Sequence, residues 1–208
     1  MDEIKISHGY TAPPPYAQLR IKAVQSLLVD KGIIDPDSFN EVVDIYENRI
    51  GYKDGAAVIA RAWTEPDFKA KLLADGTSTL AELGMTGFEG AHVIYVENND
   101  EVHNVVVCTL CSCYPWAVMG LPPAWYKAPQ YRSRVVFEPR VVLSEFGTTL
   151  PDDIEIRVWD STAEIRYIVI PQRPTGTDGF TVEQLTDLVS RDSMIGTKLA
   201  STPEGVAA

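Results

Sequence analysis

Outside one six-residue stretch the chain has no cysteine, and its 208 residues include only three histidines, His8, His92 and His103. That scarcity excludes a disulfide framework. The three sulfurs, at Cys108, Cys111 and Cys113, are odd in number and too close together for ordinary bridges. It also serves the usual structural zinc site poorly, since that site draws on two separated Cys or His pairs and here the sulfurs are all in one cluster. Basic charge is short as well: 18 Lys and Arg against 29 Asp and Glu give a formal net charge of −11. Such a balance weighs against nucleic-acid binding, which depends on a basic surface facing phosphates. No apolar run approaches the length of a membrane span. There is no Gly-rich dinucleotide fingerprint, and Ser144 lacks both a neighbouring base and the flanking glycines of a nucleophile elbow. The start, Met1-Asp2-Glu3-Ile4-Lys5, is acidic and has no secretory apolar region, which together with unpaired thiols predicts a cytoplasmic protein.

What is present is the cysteine cluster itself, Cys108-Thr109-Leu110-Cys111-Ser112-Cys113, between Val105-Val106-Val107 and Tyr114-Pro115-Trp116. The valines predict a buried strand that delivers the sulfurs into a tight turn. Clustered thiolates select transition metals over magnesium or calcium. His103 is a candidate fourth ligand by composition, but an extended strand advancing about 3.3 Å per residue carries it away from the cluster, and a structural histidine is the commoner role. The amide nitrogens of Ser112 and Cys113 lie between the last two sulfurs, so sulfur, nitrogen, nitrogen and sulfur can share one plane while Cys108 supplies an axial sulfur. Amide ligation demands a strongly Lewis-acidic ion, which favours trivalent low-spin cobalt or iron over zinc. Inert buried thiols are the alternative, since a lone cysteine is often only a small hydrophobe.

Along the chain, residues 1–15 end in Pro13-Pro14-Pro15 and predict an extended arm. Helices follow over 16–31 and from Asp35-Pro36 to Gly51, then over 56–63, from an N-cap at Thr64 to Gly76, and over 79–83. Strand-like segments occupy 91–97, 104–108, 155–159 and 164–170, and a last helix spans 182–191. Helices first and strands later predict an α+β chain: an N-terminal extended and helical arm, 1–55, and a layered domain with helices covering β-sheets, 56–208.

At the cysteines the sequence resembles the metal-binding signature of nitrile hydratase alpha subunits. The resemblance is carried by Val107 to Cys113 and by the flanks His103-Asn104, Tyr114-Pro115-Trp116, Gly120-Leu121-Pro122-Pro123 and Trp125-Tyr126-Lys127. It extends through Tyr131-Arg132-Ser133-Arg134, Glu138-Pro139-Arg140, Arg157-Val158-Trp159-Asp160-Ser161, Arg166-Tyr167 and Arg191-Asp192-Ser193-Met194-Ile195-Gly196. It implies an enzyme that hydrates nitriles to amides at a non-corrin cobalt or non-haem iron. Thr109 after the first cysteine goes with cobalt in that family, so the implied cofactor is Co(III). The implied metal ligands are Cys108, Cys111, Ser112 and Cys113, the amide nitrogens of Ser112 and Cys113 included. Cys111 is the implied sulfinate and Cys113 the implied sulfenate, with either that sulfenate oxygen or an activated water attacking the nitrile.

The resemblance also implies a beta-subunit partner in an α2β2 heterotetramer, arginines of that partner on the oxidised sulfurs, and an activator or metallochaperone during maturation. Trp116 has two readings, a wall of the substrate pocket or a core aromatic. Arg132, Arg134 and Arg140 are candidates to brace the sulfurs, to reach a partner or to form structural ion pairs, and Arg166 is a similar interface candidate. The sequence departs from the family at Gly87-Phe88-Glu89-Gly90, where a glutamine is usual at the position of Glu89. The cobalt subunit of thiocyanate hydrolase carries a similar claw, and a metal carrier without turnover is a third reading.

Overall fold

The computed structural model describes residues 15–45, 50–86 and 90–203; Glu89 and the first fourteen residues lie outside them. Two helices come first, α1 (Pro15–Asp30) and α2 (Pro36–Asp44). Asp35 caps α2 by accepting from the backbone amides of Asp37 and Ser38, with Pro36 at the first helical position. No residue of α2 is buried, and α1 leaves Leu19 65% and Leu27 57% exposed.

Three further helices follow: α3 (Tyr52–Thr64), α4 (Pro66–Ala74) and α5 (Gly76–Glu82). The expected N-cap at Thr64 is displaced by one residue. Thr64 ends α3, its hydroxyl donating back to the carbonyls of Ala60 and Arg61, and extended Glu65 leads into Pro66 as a residue before proline must. Gly76 likewise begins a helix where a stop was expected. Asp75 caps α5 through the Ser78 amide, and a Cβ on Gly76 would lie 2.5 Å from the Val93 carbonyl. The glycine is there to let α5 approach a strand.

The strands are β1 (His92–Glu97) and β2 (Val102–Val107), then β3 (Glu155–Asp160) and β4 (Ile165–Ile170). They form two parallel two-stranded sheets, β1 with β4 and β2 with β3. Parallel partners need long crossovers, and the one from β2 to β3 contains α6 (Trp116–Met119), a 3-10 turn (Ala124–Lys127), α7 (Pro129–Phe137) and α8 (Pro139–Glu145). The chain is thus α+β, with small parallel sheets and no doubly wound sheet among the described residues. After β4 the expected single helix is two, α9 (Val182–Leu188) and α10 (Arg191–Ile195). Ser190 interrupts it by capping α10 through the Ser193 amide.

β2 is buried at all six positions, and Val105, Val106 and Val107 share the core cluster with Ile168 of β4 and Met194 of α10. β3 alternates between exposed and half-buried residues over Glu155 to Val158, as a sheet edge with one packed face does. α10 ends at Gly196 in the left-handed region, φ 89°, where a Cβ would sit 2.0 Å from the Asn104 carbonyl of β2. No helix among the described residues is long and apolar enough to cross a membrane.

Candidate metal centre

The register of β2 against β3 decides where the cysteines emerge. Val107 pairs with Asp160, the last residue of each strand, and the ladder closes with the Ser161 amide donating to the Val107 carbonyl at 2.7 Å. Cys108 therefore leaves the core fully buried, beside the Asp160 carboxylate. Asp160 accepts from both the backbone amide of Thr109, at 2.9 Å, and its hydroxyl, at 2.6 Å. This clamp turns the chain. The Cys111 amide then donates to the Cys108 sulfur at 3.3 Å, and Leu110 at the tip is 83% exposed.

The three sulfurs converge. Sγ of Cys108 and Cys111 are 3.5 Å apart, those of Cys111 and Cys113 2.9 Å, and all three lie within 4.8 Å of one another with no disulfide between them. Two thiolates bound at right angles about 2.3 Å from one ion stand about 3.3 Å apart, so the observed spacings fit a shared metal. Among the described residues no other group of His, Cys, Asp or Glu is so gathered. Burial pushes the Cys113 thiol up to about 12, aided by the neighbouring Cys111 sulfur. The hydrogen bond from Cys113 in turn draws the exposed Cys111 down to about 7. A cation at the centre would relieve both sulfurs at once, because thiolates are its ligands.

The backbone of the claw is gripped from the crossover. Tyr131 donates to the Val106 carbonyl at 2.7 Å, Tyr126 to that of Cys113 at 3.0 Å, and Arg132 to that of Cys111 at 2.6 Å. Tyr126 and Tyr131 are buried in one aromatic cluster with Tyr114, Trp125 and Phe146. Sequence reasoning had no element here. The signal was Pro129 and Pro139, each at the first turn of a helix.

The other candidates separate. His103 is no ligand: its ring binds the Gly196 carbonyl at 2.7 Å and the Asn98 amide at 3.2 Å, and burial lowers its pKa. Arg134 is the expected ion pair, holding Glu138 and Glu145, while Arg140 donates to the carbonyls of Leu150, Pro151 and Ile154. Arg166 is buried, donates to the Thr162 carbonyl and lies close enough to Cys113 to favour its thiolate. Trp116 opens α6 half-buried, packed on the core with Lys127 Nζ 5.5 Å from its ring centre. A cavity of about 220 Å³ adjoins this turn between Pro115, Val118, Arg166, Val93 and Leu80.

Comparison with known proteins places this arrangement. The family model for the nitrile hydratase alpha chain matches residues 15–198. A low-molecular weight cobalt-containing nitrile hydratase subunit alpha of Rhodococcus rhodochrous is 55% identical over 184 residues, 88% of this chain and 89% of that one. Thiocyanate hydrolase subunit gamma of Thiobacillus thioparus is 38% identical over 185 residues, 84% of this chain and 76% of that one. Among solved structures, a double mutant of the Fe-type nitrile hydratase of Comamonas testosteroni Ni1 superposes with a TM-score of 0.87 at 36% identity, over 95% of this chain and 96% of that one. The chain belongs to the nitrile hydratase alpha-chain family, whose subunits carry the catalytic metal of the enzyme.

Proposed function

We propose that this chain hydrates nitriles to amides with a low-spin Co(III) held by the sulfurs of Cys108, Cys111 and Cys113 and the amide nitrogens of Ser112 and Cys113. The convergence of three sulfurs within 4.8 Å of one another carries the reading. Thr109 and the cobalt-containing relative support cobalt over iron. Bound in the claw, the ion supplies the Lewis acidity that polarises a C≡N bond. In this reading Cys111 is the sulfinate, and its exposure leaves room for two added oxygens.

Cys113 is the sulfenate, and its oxygen either attacks the nitrile carbon or aligns the water that does. One water is consumed. When water attacks, its oxygen becomes the carbonyl; when the sulfenate attacks, the sulfenate oxygen becomes the carbonyl and the water's oxygen restores the sulfenate. In both cases the two protons of water end on nitrogen. Trp116, half-buried one turn beyond the claw, walls the approach and limits competing solvent. The pocket is completed by a beta subunit in an α2β2 heterotetramer, whose arginines would neutralise the oxidised sulfurs, and loading requires an activator in the cytoplasm. The apolar residues exposed on α1 and α2 support an arm, residues 1–55, that lies on that partner, with 56–208 as the catalytic domain.

The test is native mass spectrometry of the chain co-expressed with its beta subunit in cobalt-supplemented cells, with peptide mapping of residues 105–127. One cobalt per chain, two oxygens on Cys111 and one on Cys113, with turnover of nitriles, is the expected result. Zinc with unmodified thiols overturns the mechanism and leaves a carrier. Turnover of thiocyanate but not of nitriles assigns the other hydrolase.

A further inference from the structure

Among the described arginines, Arg132 is the one that donates to the backbone of the claw itself. Arg134 spends its charge on two carboxylates, and Arg140 spends its donors on loop carbonyls away from the cysteines. Arg166, like Arg132, forms no salt bridge among the described residues and leaves its Nε buried without a partner, but it donates to Thr162 and Ile165, outside the claw. Among the described residues Arg132 forms no salt bridge, its Nε is buried without a partner, and its one hydrogen bond runs from Nη1 to the Cys111 carbonyl at 2.6 Å. A cationic donor makes this a charge-assisted bond, the class that runs shorter than neutral pairs. The guanidinium is held firmly, because the preceding residue, Tyr131, bolts the same turn of α7 to β2 through the Val106 carbonyl.

The accepting oxygen has chemical meaning. It belongs to the peptide unit that joins Cys111 to Ser112, and amide resonance couples that oxygen to the Ser112 nitrogen. When the nitrogen serves as an anionic ligand, as the reading above requires, its negative charge is shared with the Cys111 oxygen. An unneutralised cation 2.6 Å from that oxygen is therefore wired to the metal through three atoms of backbone. A neutral donor at the same place would fix the loop equally well but would hold much less of the charge.

We propose that Arg132 is a positioning residue of the metal centre, whose guanidinium holds the charge that ligation through the Ser112 amide places on the Cys111 carbonyl oxygen. The role rests on amide ligation in the claw and goes beyond it, since it assigns the support of one amide ligand to one side chain of this chain.

The test compares Arg132→Gln and Arg132→Lys with the parent as cobalt-loaded complexes with the beta subunit, by sulfur-to-cobalt absorption, cobalt retention against a chelator, and thermal midpoint. Gln keeps a neutral donor, and Lys keeps the charge. Arg132→Gln should shift the absorption band to shorter wavelength, as the amide donates more strongly to the metal, and lose cobalt about tenfold faster. Arg132→Lys should recover most of both, with the thermal midpoints alike. An unmoved band in Arg132→Gln, or equal damage in Arg132→Lys, overturns the role of Arg132 and leaves the claw intact. A parent complex that lacks the sulfur-to-cobalt band overturns amide-and-thiolate ligation, and the role of Arg132 with it.

Discussion

The helices α1 and α2 and the claw loop both lie at the surface, and they are ordered by opposite means. α1 and α2 carry apolar residues at helical spacing, yet Leu19, Val24 and Leu27 remain more than half exposed, and α2 buries nothing. The claw loop is short and irregular, yet its backbone is fixed at Val106, Thr109, Cys111 and Cys113 by Tyr131, Asp160, Arg132 and Tyr126. One region has a local pattern waiting for a surface; the other has almost no local pattern and is held by distant side chains. An amphipathic pattern says that a face will be covered, not by what. A cluster of ligand residues says that chemistry happens there, not what keeps it in shape.

The comparison is broken most severely by Cys113→Ala. Metal and hydration should both be lost, activity falling by about 10³-fold or more, while α1 and α2 keep their helical signal. Metal analysis, amide production and circular dichroism check this. The opposite experiment is Leu19→Asp with Leu27→Asp. Affinity for the beta subunit should fall by about 10- to 100-fold in sedimentation, and the assembled fraction should retain its cobalt.

A third variant acts on the loop's support alone. Asp160→Asn keeps an acceptor for Thr109 but removes the charge, so cobalt retention against a chelator should fall about tenfold with little change in melting temperature. The smallest effect is expected from His103, outside both regions. Its pKa is lowered by burial, so the unfolded chain binds the extra proton. Its contribution is complete above the unfolded value, about 6.5, and is lost as pH falls through the lower folded value. Melting temperature should drop on acidification below pH about 6.5, and His103→Gln should flatten that slope. Asp192, raised by burial, contributes with the opposite sign, and the difference between the parent and His103→Gln isolates the histidine's share.

Much of this was legible in the sequence. The four strand-like segments fall within about two residues of the observed ones, and the claw was evident from spacing alone. What escaped is specific. Thr64 and Gly76 were misread because a hydroxyl can bond backwards and a glycine can serve a close approach, and neither use shows in local sequence. Asp160 was seen only as part of a family-like run. Its hold on Thr109 follows from a strand register spanning fifty residues, which periodicity does not encode. Tyr126 and Tyr131 were likewise seen only within family-like runs; they pack in the core, and their hydroxyls carry the backbone of the site.

The strands β2 and β3 stop side by side, and this makes them a ruler. Side chains alternate along a strand, so removing one residue from either would turn every later side chain to the opposite face. Asp160 would then point away from Thr109 while most of the sheet still closed. Such a deletion would leave a folded protein that no longer gathers its sulfurs, whereas the 161–164 connection, beyond the ruler's end, can change length more freely. The spacing from Val102 to Cys108 and from Glu155 to Asp160 is therefore expected to resist insertion and deletion more strongly than the identity of most residues within it.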